Sequence, residues 1–208
     1  MTPSELNKEL TYLLHDLLAD TGFRKKRICC LFRKENECVQ EFSFYFTRDR
    51  GLPGNTYSLS AALSFSFPKV DRLTSHFMGE EYNSKWPTGT RTFYTVLPDT
   101  PVLKYKYCSD DSLKQFADMV SQDFHSYALS FYDKYNTIDK LESHFEQYHD
   151  NSSCKNGFSV VRTNGYWCCK AAVLCISEKW KKLQQYVDET DFLILEQKEK
   201  IREYISNK

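Results

Sequence analysis

The chain predicts an α+β fold: an antiparallel sheet of about four or five strands packed against helices, with a C-terminal helical segment. Three observations carry that prediction. Past Val39, Phe42, Phe44 and Phe46 alternate with polar positions, among which Gln40, Glu41, Ser43 and Thr47 are counted. From Tyr57 onward, Tyr57, Leu59, Ala61, Leu63, Phe65 and Phe67 alternate with Ser58, Ser60, Ala62, Ser64 and Ser66. A two-residue period of this kind belongs to a strand with one buried face and one wet face. On either side of these runs the apolar period changes to that of a helix.

The first helix begins at Thr2-Pro3-Ser4-Glu5, where Thr2 can cap, Pro3 suits the first helical position and Glu5 completes a capping box. Leu6, Leu10, Leu13, Leu14, Leu17 and Leu18 form its apolar stripe, and Gly22 suits its left-handed end. The basic run from Arg24 to Arg27 leads into a strand expected from Ile28 to Arg33, and Lys34 to Glu37 turns it into the Val39 strand. A turn-rich loop follows from Thr47 to Thr56. Pro68 ends the second long strand, a short helix is expected from Val70 to Phe77, and an irregular loop from Gly79 to Thr92.

Two more strands are expected at Thr92 to Leu97 and Val102 to Cys108, separated by the turn Pro98-Asp99-Thr100-Pro101. Ser109-Asp110-Asp111 reads as a cap for one continuous helix whose inward residues run from Leu113 to Phe131. Thr137 caps the next helix, with Ile138, Leu141, Phe145 and Tyr148 on one face. Asp150 to Gly157 is the expected linker between a domain at 1–150 and a helical segment at 151–208, a single continuous domain being the alternative. In that segment helices are expected at Tyr166 to Ile176, Glu178 to Val187 and Asp191 to Ser206, with an alternative strand at Phe158 to Arg162. Trp167, Ala171, Leu174, Trp180, Leu183, Val187, Phe192, Leu195 and Ile201 are expected to face inward.

Bulk chemistry narrows the function classes. Lys plus Arg and Asp plus Glu are 28 each among 208 residues, so no overall field draws the chain to nucleic acid or an anionic membrane. The start of the chain lacks a secretory pattern, and no apolar run reaches the ~18 residues of a membrane span. A cytoplasmic protein without a membrane partner is expected. Of the eight cysteines, four form the adjacent pairs Cys29-Cys30 and Cys168-Cys169, and the rest have no regular spacing. They are read as reduced, mostly buried thiols.

A family resemblance rests on Gly22-Phe23-Arg24-Lys25-Lys26, Leu31-Phe32-Arg33 and the aromatic strand after the Leu-rich opening helix. Tyr127-Ala128-Leu129-Ser130-Phe131, Thr137-Ile138-Asp139-Lys140-Leu141 and Ala171-Ala172-Val173-Leu174 extend it. With these short motifs the chain resembles an uncharacterised bacterial family of domains of unknown function. The resemblance implies the fold and carries no activity or catalytic residues.

Arg24, Lys26, Arg33, Arg48 and Arg50 can form a positive sheet edge that holds phosphates or an acidic protein, or a solvated edge that discourages pairing. Trp86 and Arg91, in the loop with Glu80 and Glu81, form a second recognition candidate. No metal site is expected: His144 and His149 do not align on one helical face, and Cys168 with Cys175 supplies only two ligands. No cofactor fingerprint or nucleophile elbow occurs, so no catalytic residue is assigned. His15-Asp16 and Asp123 with His125 are read as polar helix-face residues. The expected function is stoichiometric binding of a protein partner, of the kind a bacterial immunity, antitoxin or defence factor performs. A hydrolase or nuclease whose residues converge only in space, and a nucleic-acid-binding module acting through a local basic patch, are the alternatives.

Overall fold

A computed structural model of the protein describes residues 2–48, 56–97, 105–108, 111–147, 157–160 and 165–208. Helix α1 (Pro3–Leu17) starts on a reciprocal box: Thr2 Oγ1 accepts from Glu5 N at 3.3 Å, and Glu5 Oε2 accepts from Thr2 N at 2.7 Å. A 3-10 turn, Ala19–Thr21, closes on Gly22, whose φ of +79° suits glycine.

The basic run, expected as a lead-in, is itself a strand, β1 (Arg24–Arg27), antiparallel to β2 (Cys30–Glu35) with Arg24 opposite Phe32 and Lys25 opposite Leu31. Four cations show no apolar alternation, so pairing with β2 makes the strand rather than any pattern of its own. Ile28, expected to open the strand that runs to Arg33, lies in the connecting turn. There Cys29 has a φ of +63° and its N–H donates to Thr11 Oγ1 at 2.9 Å.

Strands β3 (Cys38–Arg48) and β4 (Thr56–Ser66) carry the expected alternation, with Phe42, Phe44, Phe46, Tyr57, Leu59, Ala61, Leu63 and Phe65 all buried. Gln40 departs from its polar grouping: it lies in register with the phenylalanines and is fully buried, its Oε1 accepting from Arg33 Nε at 2.5 Å. After helix α2 (Pro68–Met78), strand β5 (Gly89–Thr92) occupies the end of the expected loop. The strand expected at Thr92 to Leu97 is instead a 3-10 turn, Phe93–Val96. Thr95 Oγ1 bonds back to Thr92 O at 2.7 Å, a local alternative to ladder pairing. Strand β6 covers Lys106–Cys108 and pairs with β4; residues 98–104 lie outside the described part of the chain. The result is an α+β fold with an open antiparallel sheet ordered β1-β2-β3-β4-β5, β6 pairing β4.

The cap of α3 (Leu113–Asp123) is Ser112, whose Oγ accepts from Gln115 N at 3.4 Å; of the expected acidic cap, residues 109 and 110 lie outside the described part. The continuous helix expected beyond it is broken by a π turn, Phe124–Ala128, before α4 (Leu129–Asp133). His125 accounts for the wider turn locally: its Nδ1 lies 2.8 Å from the Ser121 carbonyl. Helix α5 (Ile138–Gln147) has its expected Thr137 cap, Oγ1 accepting from Lys140 N at 3.3 Å. Tyr148, His149 and the expected linker up to residue 156 lie outside the described residues, and of the alternative strand at 158–162 only an isolated bridge, Ser159 to Thr90, is described.

Helices α6 (Gly165–Ile176), α7 (Trp180–Glu189) and α8 (Leu195–Ser206) close the chain. Phe192 and Leu195, expected inside, are 60% and 68% exposed, and Leu193 is buried in their place. The reason is that α8 starts at Leu195 rather than Asp191, so 191–193 bends outside the helix and the helical period expected there does not apply.

The chain divides into two compact units. The first holds Met1–Glu35, Val39–Ser64 and Arg91–Lys134; the second holds Asn36–Cys38, Phe65–Thr90 and Tyr135–Lys208. The interior of the first is aromatic: the Phe42 ring lies 5.2 Å from Phe44, 5.3 Å from Phe93 and 4.9 Å from Phe124. In the second, α2 packs on α6, whose face offers the small buried residues Ala171, Ala172 and Cys175. Phe65 stacks on Tyr135 at 5.2 Å, and Phe158 meets both edge-on. A buried polar joint, Asp71 to Thr88 at 2.6 Å and Thr88 to Phe67 N at 2.8 Å, holds the end of the Gly79–Thr88 loop.

Glu142 is buried in the second unit and takes Lys179 Nζ at 2.7 and 2.8 Å and Lys182 Nζ at 3.2 Å. Burial pushes its pKa up, but the two ammonium groups outweigh burial and hold it below the ordinary 4.5. A lowered folded value means stability present above pH 4.5 and lost as pH falls through the folded value. Glu142→Gln is therefore expected to cost ~1–3 kcal/mol at pH 7 by urea unfolding, with the gap to the native chain closing as the pH drops below 4.5. A second expectation concerns Gly89, where an added Cβ would lie 2.5 Å from Phe158 Cδ2 and from Phe65 Cζ. Gly89→Ala should lower stability by about 1–3 kcal/mol in the same assay.

Candidate binding surface at the β1 edge

Phe23 and the strand after it have opposite fates. Phe23 is buried, its ring 5.2 Å from Phe124 and 5.4 Å from Tyr132, and this anchors the chain as it leaves Gly22. All four residues of β1 then project into solvent. Among the described residues β1 pairs with β2 alone, so its other side is an open edge.

The four cations are not equivalent. Lys26 is bonded to Glu41 on β3, and the Lys25 ammonium lies 4.2 Å over the Tyr12 ring. Arg24 and Arg27 make no ion pair or hydrogen bond through their side chains among the described residues. Arg24 borders an open groove of about 550 Å³ lined also by Tyr12, His15, Ala19, Gly22, Phe23 and Lys25. The carboxylates nearest in sequence are already engaged: Asp16 Oδ1 lies 3.1 Å from His15 Nδ1, and Asp20 lies 3.2 Å from His125 Nε2.

The remaining residues expected at a site lie as follows. Arg33 is turned into the first unit. Its Nη1 donates to Thr21 O at 3.1 Å, its Nη2 pairs with Glu35 and Asp133 at 3.3 and 3.7 Å, and its guanidinium lies 5.2 Å over Phe23. Arg48 is exposed at the end of β3, and Arg50 lies outside the described residues. Arg91 belongs to the first unit and closes the Phe93–Val96 turn, donating to Thr95 Oγ1 at 2.9 Å and Thr95 O at 2.7 Å. Trp86 belongs to the second unit, 37% exposed in a loop shaped by Asn83, whose carbonyl accepts from Trp86 N at 3.0 Å. Tyr12, 45% exposed, is the residue that sequence reasoning missed; the clue was an aromatic standing off the leucine stripe of α1.

Two polar clusters in the first unit bear on catalysis. Ser121, His125 and Asp20 lie in a row, with Ser121 Oγ 3.4 Å from His125 Nδ1. The Ser121 carbonyl, which can only accept, lies 2.8 Å from that same Nδ1, so this nitrogen carries the proton and cannot take one from the buried hydroxyl. The row fastens the π turn to the 3-10 turn that follows α1. Asp123, read as a polar face residue, is buried and accepts from Tyr105; burial and this carboxylate raise the Tyr105 pKa, so the phenol stays protonated. The Cys29 and Cys30 thiols are pushed up chiefly by burial, the opposite of an activated nucleophile.

Among the described residues no group of three or more His, Cys, Asp or Glu side chains is placed to hold a metal, and no helix is long and apolar enough to cross a membrane. Comparison with protein-family models, curated proteins and solved structures finds no match to the chain.

Arg33→Ala would strand the fully buried Gln40 side chain and remove four polar contacts. It is expected to cost ~1–3 kcal/mol in urea unfolding, whereas Arg24→Ala should change stability by less than about 0.5 kcal/mol.

Proposed function

We propose that the protein acts by binding a protein partner stoichiometrically through the β1 edge, occluding a surface of that partner rather than turning over a substrate. The observation that carries this reading is the open edge strand whose four residues are all exposed cations, three of them, Arg24, Lys25 and Arg27, with no carboxylate partner among the described residues. Long-range attraction by such a patch steers an acidic partner into contact, and like charge turns basic surfaces away. This is the occlusion expected of an immunity or antitoxin factor. A nucleic-acid ligand is less well served: Lys26 is neutralised by Glu41, and the 28 acidic residues balance the 28 basic ones over the chain.

The test is capture of a defined partner by the tagged full chain from native lysate, with Arg24→Glu and Arg27→Glu combined. Recovery should fall about tenfold or more with unchanged circular dichroism. Equal recovery would remove the edge from the contact, and retention on heparin with no protein captured would favour nucleic acid.

A second contact surface has its own observation. Phe192, Ile194 and Leu195 are each at least 60% exposed in the second unit, with the Phe192 ring stacked 4.1 Å from Trp167. Exposed apolar residues this close along the chain mark interaction surfaces. Ile194→Asp with Leu195→Asp should weaken capture if that segment makes the contact, and leave it unchanged if β1 suffices.

A further inference from the structure

We infer that β1 receives an extended acidic segment of the partner as an added strand, an inference that rests on the binding role proposed above. A strand at the end of a sheet turns one row of peptide N–H and C=O groups toward solvent, and an extended peptide can satisfy them by main-chain pairing. β1 has that position, pairing with β2 alone among the described residues. Charge selects what can add. A second copy of this chain would bring Arg24, Lys25, Lys26 and Arg27 against their own kind, and like charges side by side on neighbouring strands repel. A strand bearing carboxylates meets the opposite sign at each position. The cations that keep the edge from pairing with itself are thus the groups that admit an acidic strand.

Geometry sets the length and pattern of the guest. Four residues at ~3.3 Å each give a pairing length of roughly 13 Å. Alternate side chains of the guest would fall beside Arg24 and Lys26 on one face. On the other they would fall beside Lys25, whose ammonium covers Tyr12 at the groove. That groove offers aromatic and aliphatic wall from Tyr12, Ala19 and Phe23, so the fitting segment alternates acidic with apolar residues. The irregular register between Lys25 and Arg27 limits regular pairing to the first part of the strand, favouring a short guest over a long one.

The test uses the full chain and synthetic peptides of about eight residues, enough to span β1. One alternates Glu and Val, a second has the same residues with prolines at two central positions, and a third replaces Glu by Lys. Affinities are read by fluorescence anisotropy, and amide hydrogen exchange is read at residues 24–27. The Glu-Val peptide should bind saturably, bind at least about tenfold more tightly than either control, and slow exchange at those amides. Arg24→Glu with Arg27→Glu should abolish this. If the proline peptide binds as well as the Glu-Val peptide, strand addition is overturned while the basic contact surface stands. If no acidic peptide binds and partner capture also survives the double reversal, both fall.

Discussion

Phe42 stands at the middle of the first unit's interior, and the constraint it imposes reaches every element around it. Its ring touches those of Phe44, Phe93 and Phe124 at centroid distances of 4.9 to 5.3 Å, and Phe124 in turn meets Phe23. Aromatic rings in tilted or edge-on contact fill volume that no smaller side chain would. The 3-10 turn that carries Phe93, the π turn that begins at Phe124 and the Ala19–Thr21 turn that delivers Phe23 are therefore held to one packed arrangement. Phe23 is the last buried residue before β1, so the position of the exposed basic strand depends on how that interior packs.

Charge in this protein is sorted by geometry rather than by amount. Arg33 and Arg24 are both basic residues on adjacent strands, yet Arg33 spends its guanidinium on Gln40, Thr21, Glu35 and Asp133 while Arg24 has no such partner among the described residues. A planar, multi-donor group on the inner face of β2 can pay for its burial only by saturating its donors, which makes it part of the framework. On the outer strand the one ion pair among the described residues is that of Lys26 with Glu41. The second unit shows the converse: Glu142 is buried because Lys179 and Lys182 reach it from half-exposed positions, their ammonium groups answering its charge.

Much of the fold was legible because burial on one side writes a period into the sequence. The alternation in β3 and β4, the capping box of α1 and the stripes of α3 and α5 each carry a local physical signature. Three misreadings share the opposite character. β1 is a strand through its partner, Gln40 is buried through Arg33, and the π turn is stabilised by a histidine reaching its own helix and Asp20. The first two depend on a partner distant in sequence rather than on the residue's own type or period, and the third combines a local contact, His125 to the Ser121 carbonyl, with the distant Asp20. Of the binding candidates, Arg24 and Lys26 were visible as charge on an element of unknown kind, and Tyr12 was hidden because an exposed aromatic leaves no mark in a periodic pattern.

The amino-acid sequence by itself determined the α+β class, which faces of the long strands are buried and where most helices start, because solvent exclusion and capping act between residues close along the chain. Only the tertiary structure decided which cations are framework and which are surface, and that the basic run is an open sheet edge beside a groove. Those outcomes depend on which groups from distant parts of the chain arrive within a few ångströms, and no local pattern encodes that.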